Sequence, residues 1–364
     1  MRWFARDNLG IEGTGETVNL FAVSPREAVT ITPRGVLSDA VMRVLQGEPS
    51  QESLHGIARG AIQASSGILH DDDLQLALFA LYLSMYGSFE PFDPELEWNT
   101  ELLAVRDQLE RAFEAELRRV VHVPQQPVAN AETVAAALFE LTDEDGGPSV
   151  AKYLAKQATL TEAKEFLKLR SIYTLREADP HSWAIPRLRG RPKAALIEIQ
   201  ADEYGGGRVD RVHAEIFAAT MRAADLDDTY GAYVDDAPAI TLASVNMMSM
   251  FGLNRRLLGA IVGHLAAFEM TSSIPNRLYG NGFRRLGYGT ELTDYFDEHV
   301  EADAVHEQIA GRDLAGTLAE DKPEMLADIM FGAAACLAVD GWAAEHMLHS
   351  WTNGKSALRT GVTQ

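Results

Sequence analysis

The chain has 364 residues, 46% apolar and 23% charged, which is room for more than one small domain and ordinary for a soluble globular protein. Its 32 basic and 53 acidic side chains leave a net charge of -21, which argues against nucleic acid and anionic membranes as partners. The single cysteine, Cys336, excludes an internal disulfide and any thiolate-rich zinc or iron–sulfur site; with no run of 18 apolar residues and no leader pattern, a cytoplasmic location is expected.

The first 35 residues are mixed, with a strand-like piece at Val29-Thr30-Ile31-Thr32 ended by Pro33. Helical periodicity follows at Val36–Leu45, Asp73–Tyr86 and Pro94–Val121. The segment Val123-Pro124-Gln125-Gln126-Pro127 breaks this pattern twice and marks a boundary between domains 1–125 and 126–364. Beyond it, the apolar period predicts helices near 131–142, 148–158, 161–178, 194–224, 238–251, 254–272, 289–310 and 323–351. They are separated by Gly146-Gly147-Pro148, Asp179-Pro180, Arg191-Pro192, Ile274-Pro275 and Lys322-Pro323. No run of alternating strands competes with them. The expected fold class is all-α, a helical bundle preceded by a smaller, mostly helical N-terminal domain.

Within 289–310, His299, Asp303 and His306 stand at i, i+4 and i+7, within about 60° on a helix. Leu292 and Phe296 share their face, so two imidazoles and a carboxylate point at the core, an arrangement that a metal ion stabilises. A solvated helix with two incidental histidines is the plainer reading. Glu269 continues the apolar stripe of Leu258, Val262 and Leu265, where an unpaired glutamate is seldom found; as a helix-end residue it could equally reach solvent. His264 lies on another face and reads as a surface or packing residue.

Glu203 and His213 flank Gly205-Gly206-Gly207. On an unbroken helix they would lie about 80° out of register, but three glycines permit a break that realigns them. A turn with an unrelated Glu and His has the same text. Glu177, just before Asp179-Pro180, reads by itself as a helix-terminal acid. Carboxylates with imidazoles suit iron or manganese better than structural zinc, and seven such ligands suit two ions better than one.

Taken together these residues resemble the haem-oxygenase-like di-iron oxidases, the iron-containing redox enzyme family. The likeness rests on intervals of 10 from Glu203 to His213, 56 to Glu269 and 30 to His299, then His-x3-Asp-x2-His. It extends to Ala201-Asp202-Glu203-Tyr204, to His213-Ala214-Glu215-Ile216-Phe217 and to Phe268-Glu269-x5-Pro275-Asn276-Arg277, over roughly 130–350. Within the family the chain is most similar to the N-oxygenases, some of which carry one more carboxylate 26 positions before the first core glutamate, where Glu177 stands here.

That resemblance implies a haem-oxygenase-like bundle with two Fe ions, Fe(II) before they meet dioxygen. The ligands would be Glu177, Glu203, His213, Glu269, His299, Asp303 and His306, with Glu203 bridging. It implies oxygenation of a small-molecule amine or guanidine nitrogen to a hydroxylamine or nitro group in a biosynthetic pathway. Dioxygen and an electron donor of unknown identity would be partners, and the N-terminal region would form a homodimer. Relatives performing C–C cleavage, decarboxylation or desaturation give the alternative reading. A metal-free, thiaminase-like enzyme would need a nucleophilic cysteine, and Cys336 sits in an apolar helix that suggests a buried, structural thiol. Arg277, Tyr279 and Tyr204 lie near ligands in sequence and could face substrate.

Overall fold

The computed structural model describes residues 29–49, 52–86, 91–143 and 149–359, without the side chains of 301–304. The mixed stretch before residue 29, the separator Gly146-Gly147-Pro148 and the side chain of Asp303 therefore lie outside the described residues.

The described residues form helices and no strand beyond one isolated antiparallel bridge, so the all-α expectation holds. The N-terminal part contains α1 (Val36–Leu45), α2 (Leu54–Ala64), α3 (Asp72–Tyr86) and α4 (Thr100–Val120). The bundle continues with α5 (Ala131–Asp143), α6 (Val150–Lys156), α7 (Leu160–Thr174), α8 (Asp179–Ser182), α9 (Gly190–Glu203) and α10 (His213–Ala223). It is completed by α11 (Ala239–Leu253), α12 (Leu258–Met270), α13 (Ser273–Arg285), α14 (Thr290–Gln308), α15 (Thr317–Asp321) and α16 (Leu326–Thr352).

Local chemistry sets these limits. Asn99 caps α4 by accepting from the amides of Glu101 and Leu102. Thr159 and Glu162 form a reciprocal capping box that starts α7. Pro180, Pro192 and Pro275 sit in first turns, where a missing N–H costs nothing, so these prolines open helices. Residues 29–32 are not a strand; Thr32 instead bonds through its amide (3.0 Å) and hydroxyl (2.6 Å) to Asp235.

α12 is buried without a break from Leu258 to Ala267 and forms the axis of the bundle. It crosses α16 with backbone touching backbone: a Cβ on Gly263 would strike Ile329, and one on Gly332 would strike Ala260. α16 is long and apolar enough to cross a membrane by composition, but 56% of its most apolar window is buried inside the protein, as befits a core helix. The N-terminal helices join the same core. Asn246 on α11 donates to the carbonyl and the side-chain oxygen of Gln75 on α3 (2.9 and 2.8 Å), and Tyr86 donates to Ser249 (3.1 Å).

Candidate metal centre

Six of the seven residues singled out by spacing converge in the centre of the bundle, all buried. Glu203 is the last residue of α9 and His213 the first of α10. The chain between them turns through Gly205, Gly206 and Gly207 at φ values of 65°, 60° and 83°, a left-handed run that only glycine takes without strain. An antiparallel bridge from Tyr204 to Val212 closes this loop and sets the two side chains next to each other. Nδ1 of His213 lies 3.1 Å from Oε2 of Glu203. The expected single segment 194–224 is therefore two helices, and the break brings the pair together.

Glu177 lies in the turn between α7 and α8, buried rather than exposed as a plain helix-terminal acid would be. Glu269 ends α12 and is 5% exposed, so it does not reach solvent. His299 and His306 occupy the inner face of α14 together with Leu292 and Phe296. Immediately after His306 the helix widens into a π-helical stretch, Ile309–Gly316, a device frequent beside functional sites. Asp303 stands on the same helix between the two histidines, and its side chain is not described.

The side chains divide into two groups. Ligand atoms of Glu177, Glu203, His213 and His299 lie within 4.8 Å of one another, as do those of Glu203, Glu269 and His306. Glu203 belongs to both. Oε1 of Glu177, Oε2 of Glu203, Nδ1 of His213 and Nδ1 of His306 are buried and make no hydrogen bond, although their neighbours are close. Buried polar atoms left in this way are costly unless something else engages them, and this donor set fits one or two ions of iron or manganese type.

Electrostatics point the same way. Burial would raise Glu177, yet His299, His213 and the Tyr295 hydroxyl hold its carboxyl below the usual range. Burial would lower His306, but Glu269, Glu203 and Asp202 push it up to about 9. For His213 the Glu203 carboxylate likewise outweighs burial and raises it. Each imidazole thus faces concentrated negative charge, which a cation would neutralise.

Several supporting residues escape sequence reasoning. Tyr295 donates to Oε2 of Glu177 at 2.8 Å, and its backbone oxygen accepts from Nδ1 of His299 at 2.8 Å, which leaves Nε2 for the site. Its place one turn before His299 on the buried face is the only sequence signal for this role. Asp202, 3.3 Å from Nε2 of His306, carries none beyond adjacency to Glu203. His264 is a packing residue: it is buried, stacked on Phe268 and 3.2 Å from His181. Cys336 is buried, and desolvation beside Asp340 pushes its thiol well above the usual range, which removes it as a nucleophile. Tyr204 is bonded to Asp179 and Ser182, and Arg277 is exposed.

Tyr279 lines a pocket of about 220 Å³ between α7, α11, α13 and α16. Tyr173, Phe268 and Ser272 border both this pocket and the small space around Glu177, Glu203, Glu269 and His299, so the two are neighbours.

No curated protein matches the chain. Residues 164–341 match the family model described as iron-containing redox enzyme, a segment that holds all seven residues. That match supports the haem-oxygenase-like family for this chain, and with it an oxidoreductase whose buried Glu and His cluster fits iron.

Proposed function

We propose that the protein is a non-haem di-iron oxygenase that uses dioxygen to oxidise an amine or guanidine nitrogen of a small molecule. The observation that carries the two-metal reading is the membership of Glu203 in both ligand groups. One group offers Glu177, His213 and His299 and the other Glu269 and His306, with Glu203 between them; Asp303, on α14, is assigned to the set by its position. Iron held there supplies activation of dioxygen for oxygen transfer.

The chain's own residues do the rest. Tyr295 fixes the rotamer of Glu177 and the tautomer of His299 from opposite ends of one residue. Phe268 and Tyr173, ring centroids 5.0 Å apart, shield the carboxylates from water on the pocket side. The nitrogen reading, as against carbon chemistry, rests on Glu177, the carboxylate that the N-oxygenase likeness requires and that lies among the ligand atoms. An electron donor and a homodimer built through the N-terminal helices belong to the same proposal.

The test is metal analysis after anaerobic Fe(II) loading, then aerobic incubation with lysine, arginine derivatives and 2-aminoimidazole, followed by mass spectrometry. About two irons per chain and an amine heavier by one or more oxygen atoms are expected. A sample that holds no iron, or one that oxidises carbon and leaves every amine untouched, overturns the reading.

A further inference from the structure

The two histidines of α14 turn different nitrogens toward the site. Nδ1 of His299 is taken up by the backbone oxygen of Tyr295, one turn earlier, so Nε2 faces inward and lies 3.7 Å from Oε1 of Glu177. At His306 the ring is reversed. Its Nδ1 lies 3.4 Å from Oε2 of Glu269, is buried and makes no hydrogen bond, while its Nε2 lies 3.3 Å from Oδ2 of Asp202. The His306 imidazole thus stands between two carboxylates, one at each nitrogen.

Those two carboxylates are not equivalent. Glu269 is buried and belongs with Glu203 and His306 to the second ligand group. The side chain of Asp202 is 50% exposed and belongs to neither group. Asp202 directly precedes Glu203 at the end of α9, and consecutive residues of a helix point about 100° apart. The last turn of α9 therefore sends Glu203 into the site and Asp202 to the outer side of the same imidazole. A neutral imidazole ligates a metal through one nitrogen and keeps its proton on the other, and an acceptor at that N–H fixes both the tautomer and the angle of the ring.

We infer that Asp202 is a positioning residue: it accepts from Nε2–H of His306 and so commits Nδ1 to the second metal ion. The inference rests on the proposed two-metal function. It adds that His299 and His306, seven residues apart on one helix, ligate through opposite nitrogens, because a backbone oxygen occupies Nδ1 of the first and a carboxylate occupies Nε2 of the second. Asp202 itself touches neither ion.

The test uses the full chain loaded anaerobically with Fe(II), its metal content measured on the sample that is then crystallised. Nδ1 of His306 is expected at bonding distance from the second ion, with Nε2 in hydrogen-bond reach of Asp202. Asp202→Ala should weaken uptake of the second ion by about 10–100-fold and leave the first bound, so that limiting Fe(II) fills about one site per chain in place of two. Asp202→Asn keeps an acceptor oxygen and should restore part of that uptake. Helical circular dichroism should stay unchanged in both variants, since a half-exposed ion pair adds little to stability. A merely structural role would weaken both ions alike and would not be rescued by Asn. If the alanine variant does not fold, the ligating nitrogen seen in the wild-type protein decides alone. Ligation of His306 through Nε2, or undiminished uptake of the second ion by Asp202→Ala, overturns the inference and leaves the metal reading standing. A protein that takes up no iron overturns both.

Discussion

Glu203 is the residue on which both ligand groups depend, so its removal should differ in kind from the others. Glu203→Ala is expected to reduce bound iron from about two per chain to near zero. His306→Ala, which touches one group only, should leave about one; metal analysis by mass spectrometry separates the two results. Tyr295→Phe removes one hydrogen bond to Glu177, and a loss of about 10–100-fold in metal affinity is expected, as for other groups that orient a ligand. Of the residues that approach one another here, His299 and His306 were legible from their spacing on one helix and Glu269 from its apolar stripe, whereas Glu177, Glu203 and His213 joined the set through the family resemblance. What was not legible depends on contacts between distant segments. Arg170, Asn276 and Asp340 come from three helices, and nothing in the text of any one of them distinguishes a pocket wall from a packed surface.

Helix α1 has the limits that its periodicity gives, whereas α13 was hidden. Ile274-Pro275 reads as a stop, yet a proline in a first turn is a start, and only the following backbone tells which. Local period likewise says nothing of the π-helical stretch after α14, whose wider hydrogen bonds are set by packing. The glycine loop gives an element-level prediction. Gly205 has φ 65° and no room for a Cβ against Arg211 and Val212. Gly205→Ala should cost about 1–3 kcal/mol of strain, lower metal content and leave the helical circular dichroism intact. At the α12–α16 crossing the effect should fall on folding instead. Gly263→Val forces the two backbones apart and should destabilise by about 3 kcal/mol. Gly341→Ala, on the same helix α16 but facing open space, should stabilise by about 0.5–1 kcal/mol; chemical denaturation measures both.

For the molecule as a whole, the candidate ligand groups draw on the α7–α8 turn, α9, α10, α12 and α14, so a metal ion held there would bind the folded chain and not the unfolded one. Metal present at 100 times its dissociation constant adds about 2.7 kcal/mol. Treatment with a chelator should therefore lower Tm by several degrees, and Fe(II) should restore it, read by calorimetry. The division at 125–126 drawn from Pro124 and Pro127 describes a break in helical text, while α3 and α11 share one continuous core across it. The glycine crossing has a further consequence at this scale. Phe268 of α12 and Asp340 and Met347 of α16 line the same pocket, and the helices that carry them touch main chain to main chain. Because no side chain separates the two backbones at that crossing, a Cβ added at Gly263 or Gly332 should shift these pocket-lining residues as well as loosen the fold.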